Sequence, residues 1–221
     1  MIKLIIFDLD GTLVDSAQDI MDAANKAIGH YGKEPFTFEA IKKFIGDGRK
    51  HFIQGISGDR QADPEFVKEV FDRFSNHYEE MLLQSTVFYP GALNFLNEFL
   101  KESHKKIGVV TNKEERQARL IIKGLGVPEE RFVQIYGADT FEVKKPHPKP
   151  LLEMMKLAQV KPEETVMIGD SRQDIEAARA AGTHFIGVTF GYNTIDNLKS
   201  HGAEKFIDHF DELTVTMKAL F

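Results

Sequence analysis

Two closely spaced carboxylates follow the first apolar segment of the chain. Asp8 and Asp10 come directly after residues 4–7, and Gly11 follows them. Because side chains i and i+2 of a strand lie on the same face, both carboxylates should share one side of the chain, and the glycine lets backbone N–H groups approach an anion. Two carboxylates at this range repel each other unless a cation or a proton lies between them. The pattern indicates a divalent metal or a shared proton, although plain turns and phosphoacceptor receiver domains also contain such acidic loops.

A second acidic pair follows another apolar segment. Residues 166–168 end in Gly169 and Asp170, and Asp174 lies four residues further on. Oxygen ligands from two strand ends suit Mg²⁺, so Asp170 is a candidate metal ligand, and Asp174 would lie one helical turn beyond it. Helix capping explains the same residues: Asp170 or Ser171 is a good N-cap, and Asp174 would lie near the positive end of the helix dipole.

Thr111, Asn112 and Lys145 could bind a phosphate group. Thr111 and Asn112 follow residues 107–110 and offer a hydroxyl and a backbone N–H, although residues of these types after a strand more often cap a helix. Lys145 lies in the loop 144–148, which two prolines stiffen, and its ammonium could pair with phosphate. Most lysines are solvated surface charges, so only the position of Lys145 in the fold can support that role.

The elements that must position these residues alternate along the chain. Short apolar runs typical of buried strands occur at residues 4–7, 107–110, 132–135, 166–168 and 185–188. The helical patterns between them comprise one after Pro90, with Leu93, Leu96, Phe99 and Leu100 on one face, and others near residues 114–123, 150–158 and 173–181. This alternation predicts an α/β fold, a Rossmann-like doubly wound parallel sheet with helices on both faces. Ligands of such sheets gather at the carboxyl ends of the strands.

Residues 15–83 interrupt this alternation. They contain no good strand, and apolar residues recur at helical spacing in two stretches, from Ile20 to Tyr31 and from Val67 to Met81. We therefore predict an inserted all-α cap domain of residues 15–83 above the end of the first strand, with residues 1–14 and 84–221 forming the catalytic core. A loop that could face the core is predicted in the middle of the insert from its glycines, which are Gly46, Gly48, Gly55 and Gly58.

The composition excludes several classes of protein. The 221 residues are enough for a core with a smaller insert, and 42% hydrophobic with 28% charged residues is typical of a globular protein. The sequence has no cysteine, so disulfides and thiolate metal sites are excluded, and a cytoplasmic location fits best. No apolar run approaches the roughly 20 residues of a membrane helix. A formal net charge of -6 should repel polyanions, so we expect neither nucleic acid nor a membrane as a partner.

Four of these segments, in this order, resemble the haloacid dehalogenase superfamily. Residues 8–13 resemble its first motif, Thr111 its second, Lys145 its third, and residues 169–174, with Asp170 and Asp174, its fourth. The position of the insert matches the helical cap of that family. Three further stretches resemble its phosphoglycolate phosphatase branch, namely Gly46-Asp47-Gly48-Arg49, Tyr89-Pro90-Gly91 and Phe190-Gly191-Tyr192-Asn193.

The resemblance implies a Mg²⁺-dependent phosphatase that acts on a small phosphorylated metabolite. In that family the first aspartate is the nucleophile and the second is the general acid/base, which assigns these roles to Asp8 and Asp10. It also implies that Mg²⁺ is held by Asp8, the backbone carbonyl of Asp10, and Asp170, while Asp174 orients Lys145 or a metal-bound water. The contacts to the phosphoryl oxygens would come from Thr111, Asn112, Lys145 and the backbone at Gly11.

Substrate choice is expected to depend on the cap. Arg49 is the candidate, because its planar fork matches a carboxylate such as that of phosphoglycolate. A solvated loop arginine is the alternative interpretation, and Lys50 and His51 are weaker candidates. Phosphoglycolate, pyrophosphate, nucleoside monophosphates and sugar phosphates all share the group that the core recognises, and the chain could be a monomer or a homodimer.

Three other functions remain open. A sugar-phosphate mutase resembling β-phosphoglucomutase has the same architecture, but residues 15–20 lack the histidine that such mutases tend to carry there. A phosphonate hydrolase would need a cap lysine for a Schiff base, for which Lys42, Lys43 and Lys50 are available. A receiver-like module would be phosphorylated on Asp8 and signal without turnover, but it would have little use for Lys145 and a cap.

Overall fold

A six-stranded parallel sheet forms the centre of the molecule. The computed structural model describes residues 1–220. The strands are β1 (Leu4–Phe7), β2 (Val14–Asp15), β3 (Val87–Phe88), β4 (Lys106–Val110), β5 (Ile135–Tyr136), β6 (Thr165–Gly169), β7 (His184–Val188) and β8 (Phe206–Ile207). The helices are α1 (Ala17–Gly29), α2 (Phe38–Lys42), α3 (Arg49–Ser57), α4 (Pro64–Met81), α5 (Ala92–Phe99), α6 (Glu115–Gly124), α7 (Lys149–Ala158), α8 (Arg172–Ala181), α9 (Ile195–Ser200) and α10 (Leu213–Lys218). The sheet has the order β5-β4-β1-β6-β7-β8, and β2 pairs with β3 in a separate ribbon.

The central strand β1 is apolar throughout because both of its faces are covered. It is parallel to β4 on one side and to β6 on the other. Ile5 and Phe7 pack on the face that α5 and α6 cover, and Leu4 and Ile6 pack on the face that α7 and α8 cover. Strands buried on both faces read as continuous apolar runs. The predicted α/β, doubly wound parallel fold is therefore confirmed.

The strand order reverses beside β1. The chain passes from β1 to β4 and β5 on one side and then crosses to β6, β7 and β8 on the other. In an open α/β sheet such a reversal leaves a crevice at the carboxyl ends of the strands. The residues that follow β1, β4 and β6 are Asp8, Thr111 and Asp170, and they lie along this one edge.

The segment between β2 and β3 is helical, as predicted. Helices α1 to α4 enclose a cluster of buried apolar side chains that is separate from the two clusters of the sheet and extends from Ile20 to Met81. Helix α4 begins where the sequence allows it: the Asp63 carboxylate accepts from the N–H of Phe66 at 3.1 Å, and Pro64 occupies the first helical position. The limits of the cap at residues 15–83 stay a prediction.

Two linkers join this insert to the sheet, and they pair with each other. Strands β2 and β3 are antiparallel, with Asp15 opposite Val87. The buried carboxylate of Asp19, in the first turn of α1, accepts from the backbone N–H groups of Ser85 at 2.7 Å and Thr86 at 3.0 Å, and from the Thr86 hydroxyl at 2.6 Å. The outgoing helix is thereby fixed against the returning chain.

The glycines of the insert do not all lie in a loop. Gly46 and Gly48 do, and both have positive φ values, 108° and 87°. Gly55 lies inside α3, where the ring of Phe44 packs directly over it, and Gly58 follows the end of that helix. The loop predicted to face the core is therefore shorter than expected and is confined to residues 43–48.

Other details of the sheet and its helices also differ from the sequence prediction. The strand predicted at residues 132–135 is observed as the shorter β5, which begins only at Ile135. Phe132 is buried, but it lies at the end of a 3₁₀ turn before that strand. Strand β8 was not predicted, since two residues leave no periodic pattern. On α5, Leu93 is 38% exposed and Phe95 occupies the core instead.

Candidate active site

Asp8 lies at the tip of β1, where hydrogen bonds fix both its backbone and its side chain. Its N–H donates to the carbonyl of Ile168 at 2.9 Å, and its Oδ1 accepts from the N–H of Leu9 at 2.7 Å. The ammonium of Lys145 lies 2.9 Å from the same oxygen. Burial, together with repulsion from Asp174, raises the pKa of Asp8 to about 7. A further cation beside this carboxylate would favour its ionised form.

Three buried carboxylates converge at this point. Asp8, Asp170 and Asp174 each offer an oxygen, and these oxygens lie within 4.8 Å of one another. Asp170 is oriented by the N–H of Tyr192, which donates to its Oδ2 at 2.7 Å, and by the hydroxyl of Thr12, which donates to its Oδ1 at 3.3 Å. Burial and repulsion from Asp8 raise the pKa of Asp170 to about 8. An all-oxygen donor set with this unfavourable concentration of charge fits Mg²⁺.

Asp174 is committed to two partners. Its Oδ1 accepts from the Lys145 ammonium at 2.6 Å, and its Oδ2 accepts from the N–H of Ser171 at 3.0 Å and from the Ser171 hydroxyl at 2.6 Å. Ser171 is the N-cap of α8, so the capping interpretation applies to Ser171 and Asp174 but not to Asp170. Although burial opposes a charge on Lys145, Asp174 and Asp8 raise its pKa overall. Lys145 is therefore an ammonium held inside the site.

Glycine is favoured at position 11 because the backbone passes directly over Asp170. Gly11 has a φ of 78°, and a Cβ atom there would lie 2.5 Å from Oδ2 of Asp170. Gly191 crowds the same carboxylate from the loop after β7. The contribution of Gly191 and Tyr192 to holding Asp170 was not predicted, although their stretch was noted; a glycine and an aromatic residue shortly after a strand were the available signal.

Asp10 points towards the insert. The hydroxyl of Ser16 donates to its Oδ1, and the ammonium of Lys113 lies 2.9 Å from its Oδ2. Lys113 also donates to the hydroxyl of Tyr78, on α4, at 2.7 Å. Burial raises the pKa of Tyr78 to about 12, so this phenol stays neutral and accepts the hydrogen bond. Neither Lys113 nor Ser16 was predicted, and a lysine after Thr111-Asn112 carries no sequence signal that separates it from a surface charge.

Thr111 and Asn112 lie at the tip of β4, and neither caps a helix, because α6 begins at Glu115 with Glu114 as its N-cap. Both are buried. Asn112 donates from Nδ2 to the carbonyl of Gly46 at 2.9 Å and to the carbonyl of Lys145 at 3.1 Å. Asn112 therefore connects the glycine loop of the insert to the loop that carries Lys145.

A cavity of about 70 Å³ lies between the sheet edge and the insert. Its lining includes Asp8, Asp10, Thr111, Lys113 and Arg49. This volume is far below the roughly 300–1,000 Å³ of pockets for drug-sized ligands. The space beside Asp8 fits a small molecule.

Arg49 faces this cavity from the start of α3. Its guanidinium donates to the carboxylate of Glu114 and to the hydroxyl of Ser75, and it stacks 4.1 Å from the ring centroid of Phe71. Its Nε is buried and has no hydrogen-bond partner. The cavity lining given by the described residues does not include the other cap candidates, Lys42, Lys43, Lys50 and His51.

Known proteins of similar sequence and structure show the family of this chain. A model of haloacid dehalogenase-like hydrolases matches residues 5–188. The chain is 36% identical to a phosphoglycolate phosphatase of Colwellia psychrerythraea, over 98% of this chain and 97% of that one, and 37% identical to one of Chromobacterium violaceum over the same shares. A crystal structure of a predicted phosphoglycolate phosphatase from Haemophilus somnus matches with a TM-score of 0.89 and 28% identity, covering 98% of both chains. A family match over most of the sheet and relatives aligned along the whole chain show that this protein belongs to the haloacid dehalogenase-like hydrolases.

Proposed function

We propose that this protein is a Mg²⁺-dependent phosphatase that hydrolyses a small phosphomonoester through a phosphorylated Asp8. One observation carries the proposal: the Asp8 carboxylate lies at the edge of a small cavity, 2.9 Å from the Lys145 ammonium and within a group of three carboxylates. A nucleophile, a fixed cation and a set of oxygen ligands are the parts that phosphoryl transfer requires. The phosphatase names of the relatives support the same reaction.

Mg²⁺ would be held by Asp8, the backbone carbonyl of Asp10, and Asp170. When bound, it would reduce the repulsion between a carboxylate nucleophile and a phosphate dianion. Asp174 is the third member of the carboxylate group, but its oxygens accept from Lys145 and Ser171. We therefore assign to Asp174 the orientation of Lys145 and not direct binding of the metal.

The reaction has two steps. An oxygen of Asp8 attacks phosphorus, the bond from phosphorus to the ester oxygen breaks, and the leaving oxygen takes a proton from Asp10. Asp10 then removes a proton from the water that attacks the phosphoryl group, which releases phosphate and restores the Asp8 carboxylate. The remaining phosphoryl oxygens would be bound by Lys145, Thr111, the N–H of Asn112 and the backbone at Gly11.

We propose a phosphoglycolate-like substrate. Arg49 supports this choice, because it lines the cavity and the N–H of its buried Nε has no partner within the protein. A substrate carboxylate would supply an acceptor for it. The small cavity also favours a short leaving group over a nucleoside. A phosphonate hydrolase is not favoured, since the lining of the described cavity includes no cap lysine. A phosphatase transfers the phosphoryl group from Asp8 to water and releases phosphate, whereas a mutase would return it to a sugar. Release of phosphate therefore distinguishes the two.

A cytoplasmic location is part of the proposal and rests on the cysteine-free composition. Among the helices of residues 1–220, none combines the length and the hydropathy needed to cross a bilayer.

Phosphate release tests the proposal. The purified protein should release phosphate from 2-phosphoglycolate in Mg²⁺ and not in EDTA, and it should rank this substrate first by kcat/KM among small phosphomonoesters, pyrophosphate and nucleoside monophosphates. Asp8→Asn should abolish turnover while Asp72→Asn, a matched change on an exposed part of α4, should not. Substantial Mg²⁺-dependent activity of Asp8→Asn would refute the covalent mechanism, and a phosphoprotein without turnover would indicate a receiver-like module.

A further inference from the structure

The Lys113 ammonium lies between the core and the insert. It belongs to the loop after β4, and it contacts Oδ2 of Asp10 at 2.9 Å and the hydroxyl of Tyr78 at 2.7 Å. It also lies 4.9 Å from the centroid of the Tyr78 ring. The Lys113 side chain is only 5% exposed and that of Asp10 only 11% exposed, so water does not replace these contacts.

Both oxygens of the Asp10 carboxylate are occupied in this arrangement. The Ser16 hydroxyl holds Oδ1, and the Lys113 ammonium holds Oδ2. Ser16 is itself fixed, because its N–H donates to the Tyr192 hydroxyl at 2.8 Å. The carboxylate therefore has a single orientation, in the wall of the cavity beside Asp8.

The position of Lys113 depends on the insert. A lysine side chain has a flexible four-carbon stem and does not fix its own ammonium. Tyr78 supplies the fixed partner, and it is buried in the apolar cluster of the insert, stacked against Phe74 at 5.4 Å between ring centroids. A displacement of α4 would remove this partner, so the ammonium would no longer be fixed at Oδ2 of Asp10 and only the Ser16 hydroxyl would orient that carboxylate.

We propose that Lys113 is a positioning residue that orients Asp10 for proton transfer, and that Tyr78 makes this orientation depend on the position that the insert takes over the cavity in this structure. The inference rests on the proposed phosphatase function and goes beyond it. Proton donation to the leaving oxygen is then strongest when the substrate is enclosed. If the insert moved away, water that entered the site would meet an Asp10 whose Oδ2 had lost its fixed partner.

Two leaving groups separate this role from a structural one. The leaving oxygen of 2-phosphoglycolate needs a proton, whereas that of p-nitrophenyl phosphate departs as a stable anion. The quantity to measure is kcat/KM, because it reports only the steps up to phosphorylation of Asp8 if that step is irreversible. Lys113→Met should lower kcat/KM for 2-phosphoglycolate by roughly 100-fold, within the usual range for general acid catalysis. The decrease in kcat/KM for p-nitrophenyl phosphate should be no more than about tenfold.

Two other variants complete the test. Lys144→Met is the matched control, because the Lys144 ammonium also joins the core to the insert, through the Asp47 carbonyl at 2.6 Å, but does not contact Asp10; both substrates should change by the same factor. Tyr78→Phe keeps the ring and removes the hydroxyl, and it should shift the substrate ratio in the same direction as Lys113→Met by a smaller factor. This variant decides the matter if Lys113→Met does not fold.

Equal losses on both substrates in Lys113→Met, or an unchanged ratio in Tyr78→Phe, would overturn the inference while the phosphatase function stands. A similar ratio shift in Lys144→Met would also overturn it, because any cation between the core and the insert would then suffice. Absence of turnover in the unchanged protein would instead refute the proposed function and this inference with it.

Discussion

Replacing Gly11 by alanine should weaken the metal site without unfolding the protein. The new Cβ atom would lie 2.5 Å from Oδ2 of Asp170 and 2.9 Å from its Cγ, whereas ordinary contacts begin at 3.4 Å. The carboxylate must therefore move by about 0.9 Å, the difference between 3.4 and 2.5 Å. Mg²⁺ requires near-ideal octahedral geometry at about 2.0–2.1 Å. We expect its affinity to fall by roughly 10- to 100-fold, as when a group that orients a ligand is changed.

The same substitution also has a backbone cost that a matched variant measures. Gly11 has a φ of 78°, and a side chain in this left-handed region costs about 1–2 kcal/mol. Gly126 has a φ of 81°, but a Cβ atom there would meet no atom within 4 Å. Gly126→Ala should therefore show the same loss of stability, about 2–8 °C in Tm for a chain of this size, with unchanged Mg²⁺ dependence.

The assay is a Mg²⁺ titration of phosphate release and of Tm for both variants. The reasoning is refuted if Gly11→Ala requires no more Mg²⁺ than Gly126→Ala, because the close packing over Asp170 would then not set the metal site. It is also refuted if Gly126→Ala loses Mg²⁺ affinity equally, since backbone strain alone would then explain the result.

Two further predictions concern charge. Burial raises the pKa of Asp8 to about 7 and that of Asp170 to about 8. In EDTA, the contribution of these two carboxyls to the free energy of unfolding is therefore fully present below pH 3.8, their ordinary pKa, and is lost as the pH rises towards 8. The gain in Tm on adding Mg²⁺ should therefore grow by several degrees between pH 5 and pH 8, and a gain independent of pH would contradict the coupling of the two carboxyls to the metal. Arg49→Met should raise KM for 2-phosphoglycolate by roughly tenfold or more relative to ethyl phosphate, which lacks the carboxylate. Arg116→Met, which removes an exposed ion pair with Glu79, is the control, and equal changes for both substrates would argue against a carboxylate contact at Arg49.

The convergence of Asp8, Asp170 and Lys145 was open to prediction from the sequence because it follows from topology. Each of the two aspartates comes directly after an apolar run, and parallel strands place their carboxyl ends at one edge. Lys145 lies in a loop of the same edge and meets Asp8 at 2.9 Å. Local pattern and sheet geometry together leave few other positions for these side chains.

The orientation of Asp10 was not open to prediction in the same way. Strand alternation suggests that it shares a direction with Asp8, but the strand ends at Phe7 and the chain turns at Gly11. Its partner Lys113 is held in place by a hydrogen bond to Tyr78, which is 35 residues away in the sequence. Such long-range pairs depend on how the insert packs on the core, and a single sequence contains no periodicity that reports it. The missed strand β8 and the shift of β5 have another cause, because strands of two residues are too short to leave a periodic pattern.

The paired linkers have a consequence for how the molecule is assembled. Because β2 and β3 run side by side, Asp15 and Val87 face each other across a ladder whose Cα atoms are separated by about 4.5–5.5 Å. The chain thus leaves and re-enters the core at neighbouring points, and the residues between them form a single insert. We expect that an insert of a different length could be joined at this junction without changing the strand order of the sheet, so the insert can vary while the residues at the sheet edge stay in place.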